Sequence, residues 1–359
     1  MPLQPSSNPP TLRLSAGAGD PVIEALRGVA ALMVMATHFV PLLRPQSGLW
    51  GFASTGVDLF FVLSGYVFAP YLLGKPLKLL PHLIRRFFRL YPLYVCALLL
   101  YVGLRLPDAS AWTHFVAHLF MGHTLNSLEV AAFYNPAFWS LPPEVEYYLL
   151  LPLLAWAATR WRFAGLLLLA AALHLLLVAL ATPGEGVSAR AIATVHAPGL
   201  LVEFMLGSWA YVLLLRDAQG HHKWLRLSLG LCIVLGMLAL YAQFLVAGSA
   251  TAPLWISGNF GVGAALGYAL LVSALARPER TSVGRCTPWL RHIGELSYGV
   301  YLFHNAAPQL LARWWPSASG VTALLLCVAL TLLLATLMHY AVEQPLRSYG
   351  RRLSQTLTK

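Results

Sequence analysis

The sequence predicts an all-α membrane protein: a polytopic bundle of about ten transmembrane helices with both termini cytoplasmic. Three observations carry this. Of 359 residues only 10% are charged and 58% are hydrophobic, with a mean hydropathy of +0.67, a composition that a water-soluble domain cannot solvate. Apolar runs long enough to cross ~30 Å of hydrocarbon recur along the chain. The cations are also unevenly shared between the loops that join those runs.

In chain order, residues 1–20 hold Pro2, Pro5, Pro9 and Pro10 among serines and are expected to form a disordered cytoplasmic tail. No cleavable signal peptide is expected, because the first apolar run begins after residue 20 and lacks a small-residue cleavage site. Residues 21–348 form the transmembrane domain, and 349–359 a basic cytoplasmic tail. The spans fall near 26–43, 54–73, 90–106, 139–158, 163–181, 197–215, 227–246, 254–276, 294–311 and 320–341. The stretch 112–125 is apolar too, but short and rich in histidine.

Charge decides against an eleventh span there. With ten, 20 of the 24 Lys and Arg lie on the side of the termini, leaving Arg44, Arg105, Arg190 and Arg313 opposite; an eleventh would invert every loop from Arg160 onward. Residues 112–125 are therefore read as an extracytoplasmic surface or re-entrant segment. The net charge of +11 reflects juxtamembrane cations facing anionic lipid and calls for no nucleic-acid partner. Cys96, Cys232, Cys286 and Cys327 are isolated and form neither a disulfide nor a metal framework.

The first chemical signal is the pair Arg27 and His38. Eleven residues is close to three helical turns, so both side chains leave one face about 16 Å apart along the axis, Arg27 near a membrane surface and His38 near mid-depth. An ionisable group is costly in hydrocarbon, so the imidazole marks a candidate site; the competing reading is a histidine bonded to a neighbouring helix. The second signal is Arg85, Arg86 and Arg89, in the cytoplasmic loop leading into the third span. At helical spacing they make a compact face of guanidiniums suited to phosphate oxygens; the competing reading, a positive-inside anchor on lipid headgroups, is the commoner one for an arginine cluster at a span end.

The third is Trp139-Ser140-Leu141-Pro142-Pro143-Glu144 with Tyr148, placed at the outer mouth of the fourth span. The two prolines are expected to enforce an irregular backbone, and Glu144 to orient an imidazole, grip a sugar hydroxyl, or merely satisfy free N–H groups of a helix start. Glu146 is expected to be solvated. In the second span, Ser64 and Gly65 suit close helix packing, while Asp58 is ionisable near the outer rim. In the ninth, Ser297 to Asn305 bring a second intramembrane histidine, His304, to a depth similar to that of His38. His114, His118 and His123 approach metal-ligand spacing, but no acidic ligand completes a zinc site and no glycine-framed serine follows them as in intramembrane serine proteases; an interfacial helix is the better reading.

Together these segments resemble the membrane acyltransferase-3 family, which includes bacterial O-antigen and exopolysaccharide O-acetyltransferases. The resemblance covers about residues 21–348 and rests on ordered motifs: Arg27 and His38 in the first helix, Arg86-Phe87-Phe88-Arg89, Trp139-Ser140-Leu141 with Glu144 and Tyr148, Ser297-Tyr298 with Tyr301-Leu302-Phe303-His304, and the closing Glu343-Gln344-Pro345-Leu346. It implies transfer of an acyl group, usually acetyl, from cytoplasmic acyl-CoA to a carbohydrate hydroxyl on the other side of a bacterial inner membrane. It implies His38 as the catalytic histidine, Arg27, Arg86 and Arg89 on the acyl-CoA side, and Glu144 near the acceptor. Pro142-Pro143 departs from the family pattern.

The residues agree with that assignment. Coenzyme A carries a pyrophosphate and a 3′-phosphate, for which the inner face offers Arg27, Arg85, Arg86 and Arg89, and a pantetheine arm is long enough to reach the depth of His38. Acyl-CoA is thus the expected donor, with no permanently bound cofactor and no metal; a glycan or lipid-linked saccharide is the expected acceptor, and Asp58, Trp139, Tyr148 and His304 are its candidate contacts. The competing class is a transporter or flippase of a lipid-linked saccharide, whose buried charges serve a substrate or proton pathway.

Overall fold

Asp20 starts the first helix: its side chain accepts a hydrogen bond from the Val22 N–H at 2.9 Å, and Pro21 follows where a missing N–H costs nothing. The computed structural model describes residues 20–43, 48–125, 127–181, 189–247, 259–276 and 287–357. The helices are α1 Pro21–Phe39, α2 Gly56–Leu72, α3 Leu79–Arg105, α4 Phe115–Leu119, α5 Leu128–Ala132, α6 Leu141–Ala179 and α7 Ala189–Val195. They continue as α8 Ala197–Arg216, α9 Lys223–Ala247, α10 Phe260–Leu275, α11 Thr287–Phe303, α12 Ala306–Trp314, α13 Gly320–Met338 and α14 Gln344–Thr356. No strand occurs among the described residues.

Among the described residues, seven helical stretches are long and apolar enough to cross a membrane: Pro21–Leu42, Gly48–Leu72, Leu79–Arg105, Pro136–Ala179, Ala197–Arg216, Lys223–Phe244 and Gly320–Thr356. The 44-residue stretch is bent at Arg162, whose φ of 63° and ψ of 152° interrupt α6 where the sequence separates two apolar runs. Helix α10 is apolar but shorter, and the start of its expected span, 254–258, lies outside the described residues, as does the expected tail up to residue 19. Residues 112–125 form no helix of spanning length: the 3₁₀ turn Ala109–Trp112 leads into the five-residue α4, pinned to α3 because the Tyr94 and Tyr91 hydroxyls donate to the carbonyls of His118 (2.8 Å) and Leu119 (2.6 Å).

Three expectations are corrected. The arginine segment is not a loop: α3 begins at Leu79, so Arg85, Arg86 and Arg89 lie on its first turns, since arginine is a good helix former and only the search for charge-free runs excluded it. Pro142 and Pro143 do not break the backbone either; they occupy the first turn of α6, where proline is tolerated, and the irregular part is the 3₁₀ turn Pro136–Ser140 before them. The expected ninth span, 294–311, is two helices, broken where Asn305 donates to the side chain of Asn135 at 2.7 Å.

Two helix pairs position the site. Helices α1 and α11 run alongside each other through Gly28 and Gly294, which face Ile293 and the backbone of Glu24. Helices α2 and α8 touch through Gly65 and Gly207, with Ser208 donating to the Gly65 carbonyl at 2.9 Å. A five-residue π-turn, His339–Glu343, joins α13 to α14, and α14 lies on α3 with Gly350 against Phe88. Residues 349–356, expected as a tail, therefore continue a packed helix.

Candidate active site

Three groups of polar side chains among the described residues bear on the site. The first, at the end where α1, α3 and α14 meet, is cationic. Arg27 donates to Glu24 at 2.7 Å, and Arg89 to the buried carboxylate of Glu343 at 3.4 Å. Glu343 also accepts from His339 Nδ1 at 2.9 Å and lies 3.9 Å from Arg347. Arg85 reaches the Ser354 hydroxyl at 3.4 Å. Arg86 differs: its guanidinium lies 5.1 Å from the centre of the Phe68 ring and 5.6 Å from that of Tyr148, and it forms no ion pair within 4 Å among the described residues. The guanidinium also bonds the Tyr148 side chain, while its buried Nε has no hydrogen-bond partner among the described residues, so a planar cation held on aromatic faces can still offer a donor to an anion.

Glu144 belongs to this end, which corrects its expected place at the outer mouth. Its carboxylate accepts from the Tyr148 hydroxyl and from Ser64 at 3.3 Å. Ser64 lies one turn before Phe68, whose ring carries Arg86, and the Tyr148 ring carries it too. The 3₁₀ turn before α6 lets that helix begin inside the bundle, beside the middle of α2, so Glu144 stands about one turn, roughly 6 Å, above Arg86 rather than at the rim.

The second group surrounds the histidines. Arg27 and His38 share α1 as expected, and the His38 ring stands 5.0 Å from that of His304, centroid to centroid, tilted by 46°. His304 is fully buried at the end of α11; its Nδ1 donates to the Tyr301 carbonyl at 2.8 Å, while Nε2 has no hydrogen-bond partner. The Tyr301 hydroxyl donates to the Ala137 carbonyl and meets the Ser140 hydroxyl, both at 2.5 Å. Next to Ser140, Trp139 borders a cleft of about 340 Å³ whose other walls are Ala131, Ala132, Pro136, Thr194 and Val195.

The third group holds Asp58. Its carboxyl lies beside that of Glu203 of α8, both facing Gly261. A Cβ on Gly261 would lie 2.5 Å from one and 3.0 Å from the other, so the glycine leaves room for the pair. Thr55 and Tyr268 pair nearby at 2.7 Å. Glu146, expected to be solvated, instead caps α8: it accepts from the Ala197 N–H at 2.6 Å and from His196 at 2.9 Å, and that bond raises the His196 pKa above its ordinary value.

The structure thus brings Arg27, Arg85, Arg86, Arg89, Glu144 and Tyr148 to one end, and His38, His304 and Trp139 to the next level; Asp58 stands apart beside Glu203. Sequence reasoning missed Glu24, Glu203, His339, Glu343 as a ligand of arginine, and Arg347. The signal was available for Glu203, an acidic residue inside an apolar run.

Among known proteins, the family described as "Acyltransferase domain" matches residues 20–340. The chain is similar to the acyltransferase MdmB of Streptomyces mycarofaciens, at 27% identity over 92% of this chain and 93% of that protein. It is 27% identical over 92% of its length to the peptidoglycan O-acetyltransferase OatA of Listeria monocytogenes, of which the match spans 56%. It is also 24% identical, over 81% of this chain and 85% of the other, to nodulation protein 10 of Rhizobium leguminosarum. No solved structure gives a match.

Proposed function

The chain belongs to the acyltransferase domain family, and from that premise we propose that it moves an acyl group, acetyl in the first instance, from cytoplasmic acyl-CoA to a carbohydrate hydroxyl on the far side of a bacterial inner membrane. The observation that carries this is the sharing of α1 by the two halves of a transfer site. Arg27 joins the arginine group near the start of the helix, and His38 meets His304 at its end, about 16 Å along the axis. The phosphates of the donor occupy the arginine end, with Arg86 and Arg89 deepest, and its pantetheine arm runs along α1 so that the thioester arrives at His38.

His38, unprotonated, takes the proton of the acceptor hydroxyl as its oxygen attacks the thioester carbonyl. The tetrahedral adduct collapses, the C–S bond breaks, and the proton passes from His38 to the departing thiolate, giving ester and free CoA thiol. General-base assistance of this kind contributes about 10²–10⁴-fold. The acceptor docks in the cleft beside Trp139, from which Ser140 and Tyr301 lead to His304. Glu144 acts on the donor side, fixing the Tyr148 ring on which Arg86 rests. Ten spans with both termini cytoplasmic fit this direction of transfer, since they put the arginine group where CoA is; the cation distribution and the bend at Arg162 support that count.

The test is turnover of acetyl-CoA by purified protein in detergent, with a hexose or muropeptide acceptor, followed by release of free thiol and by mass increment of the acceptor. The wild type releases thiol in proportion to ester formed, and His38→Ala loses about 10²-fold or more in kcat while still binding acetyl-CoA. Unchanged turnover in His38→Ala removes the histidine from the mechanism. Absence of any thiol release from the wild type with either acceptor returns the chain to the transporter class.

A further inference from the structure

At the inner end of the bundle guanidiniums outnumber carboxylates. Arg27, Arg86, Arg89 and Arg347 form one electrostatic group in which Glu24, Glu343 and Glu144 are the anions, and Arg85, at its edge, meets only a hydroxyl. Glu343 is shared between Arg89 and Arg347, and one carboxylate cannot neutralise two guanidiniums. Concentrating unbalanced positive charge in a partly buried site is costly unless an anion completes it. Among the arginines that reach a carboxylate, Arg347 is the most open: its side chain is 31% exposed, against 17% for Arg27 and 13% for Arg89, and its 3.9 Å contact with Glu343 is the loosest.

The course of the last helices says which part of an anionic ligand Arg347 meets. Helix α13 carries Cys327 in the same cluster as Phe39, the neighbour of His38, and reaches Gly299, five residues before His304, at Ala335. It therefore descends away from the histidine pair. The π-turn His339–Glu343 continues that descent, and four residues further on Arg347 is more distant still. Such turns are frequent where a helix must aim functional side chains, and this one directs Glu343 and Arg347 onto the arginines of α3. In coenzyme A the 3′-phosphate sits on the ribose, at the end remote from the thioester. With the thioester at His38 and the pyrophosphate on Arg86 and Arg89, the 3′-phosphate falls toward the open edge of the group, where Arg347 is the most exposed of the guanidiniums paired to Glu24 or Glu343.

We infer that Arg347, on the closing helix, binds the 3′-phosphate of the donor, so that α14 completes the acyl-CoA site; this rests on the donor reading given above. The experiment is titration calorimetry of the full chain in detergent with coenzyme A and with 3′-dephospho-coenzyme A. The wild type binds coenzyme A about tenfold more tightly, as expected for one charge-assisted phosphate contact. Arg347→Gln abolishes that preference without changing affinity for the dephospho form, and Arg347→Lys retains most of it. Equal weakening of both ligands by Arg347→Gln, with no recovery in Arg347→Lys, assigns Arg347 a structural role and overturns the inference; so does a preference that survives Arg347→Gln. Failure of the wild type to bind either ligand overturns the donor reading itself, and the assignment of Arg347 with it.

Discussion

The rings of His38 and His304 meet at 5.0 Å, and the second of them is fixed in one tautomer. Because Nδ1 of His304 donates to the Tyr301 carbonyl at 2.8 Å, its hydrogen lies there and Nε2 carries a lone pair that no group uses among the described residues. The neighbour of His38 in this contact is thus an imidazole rather than a carboxylate, and in the proposed mechanism His38 is the group that accepts the proton. Replacing His304 by Phe keeps the ring and removes the lone pair. We expect kcat to fall about tenfold or more while the KM for acyl-CoA stays within about twofold. Steady-state kinetics with both substrates varied check this; a rise in donor KM alone would place His304 among packing residues.

Tyr148 links the two arginine-end devices, since its hydroxyl donates to Glu144 and its ring carries Arg86 at 5.6 Å. The two roles separate by substitution. Tyr148→Phe keeps the aromatic face and should change donor KM by no more than about threefold, whereas Tyr148→Ala removes it and should raise donor KM about tenfold, the scale of a desolvated cation–π contact. Equal effects of Phe and Ala would show that the hydroxyl, through Glu144, matters more than the ring.

What the sequence reveals here is what is local. The placement of Arg27 and His38 on one helix, and the grouping of Arg85, Arg86 and Arg89, follow from helical spacing alone and recur in the structure. The depth of Glu144 does not. Its position relative to α2 depends on how far the 3₁₀ turn Pro136–Ser140 drops into the bundle, which is set by tertiary bonds such as Ser140 to Tyr301. The partners of the arginines are equally invisible, because Glu343 is 254 residues from Arg89 in sequence. A break such as the one at His304 and Asn305 escapes a hydropathy reading for a different reason: both flanking helices are apolar, and only the bond from Asn305 to Asn135 marks the boundary.

The α2–α8 crossing predicts a sharp asymmetry between glycines. A Cβ on Gly65 would lie 1.8 Å from the carbonyl oxygen of Phe204, and one on Gly207 1.9 Å from that of Val62; both obstacles are backbone and cannot rotate away. Gly65→Ala must therefore separate the helices, at a cost of about 1–3 kcal/mol. Gly103→Ala in α3 meets nothing within 4 Å and should gain up to about 1 kcal/mol from helix propensity. Thermal unfolding in detergent would show Tm falling for the first and holding or rising for the second; the same Tm for both would mean that the crossing is looser than this geometry.

Acid should loosen the segment that carries His118 and His123, outside the candidate spans. The two rings stack at 4.2 Å, 5° from parallel, and both are fully buried. His118 Nδ1 donates to the His114 carbonyl at 3.0 Å and His123 Nε2 to that of Phe138 at 3.1 Å, so each neutral ring places its one N–H on a carbonyl, while His118 Nε2 and His123 Nδ1 are buried without a hydrogen-bond partner among the described residues. Burial, reinforced by the neighbouring His123, pushes the His118 pKa down to about 4 from an ordinary 6.5, and burial lowers that of His123 as well. A folded value below the unfolded one means that the unfolded chain binds more protons in between. The stabilisation is then complete above about 6.5 and drains away as pH falls toward 4. Unfolding followed by circular dichroism from pH 7.5 to 4.5 should give a declining Tm for the wild type and a flatter profile for His118→Gln. An identical decline in the variant would place the acid sensitivity elsewhere, in the carboxylates of the ion pairs.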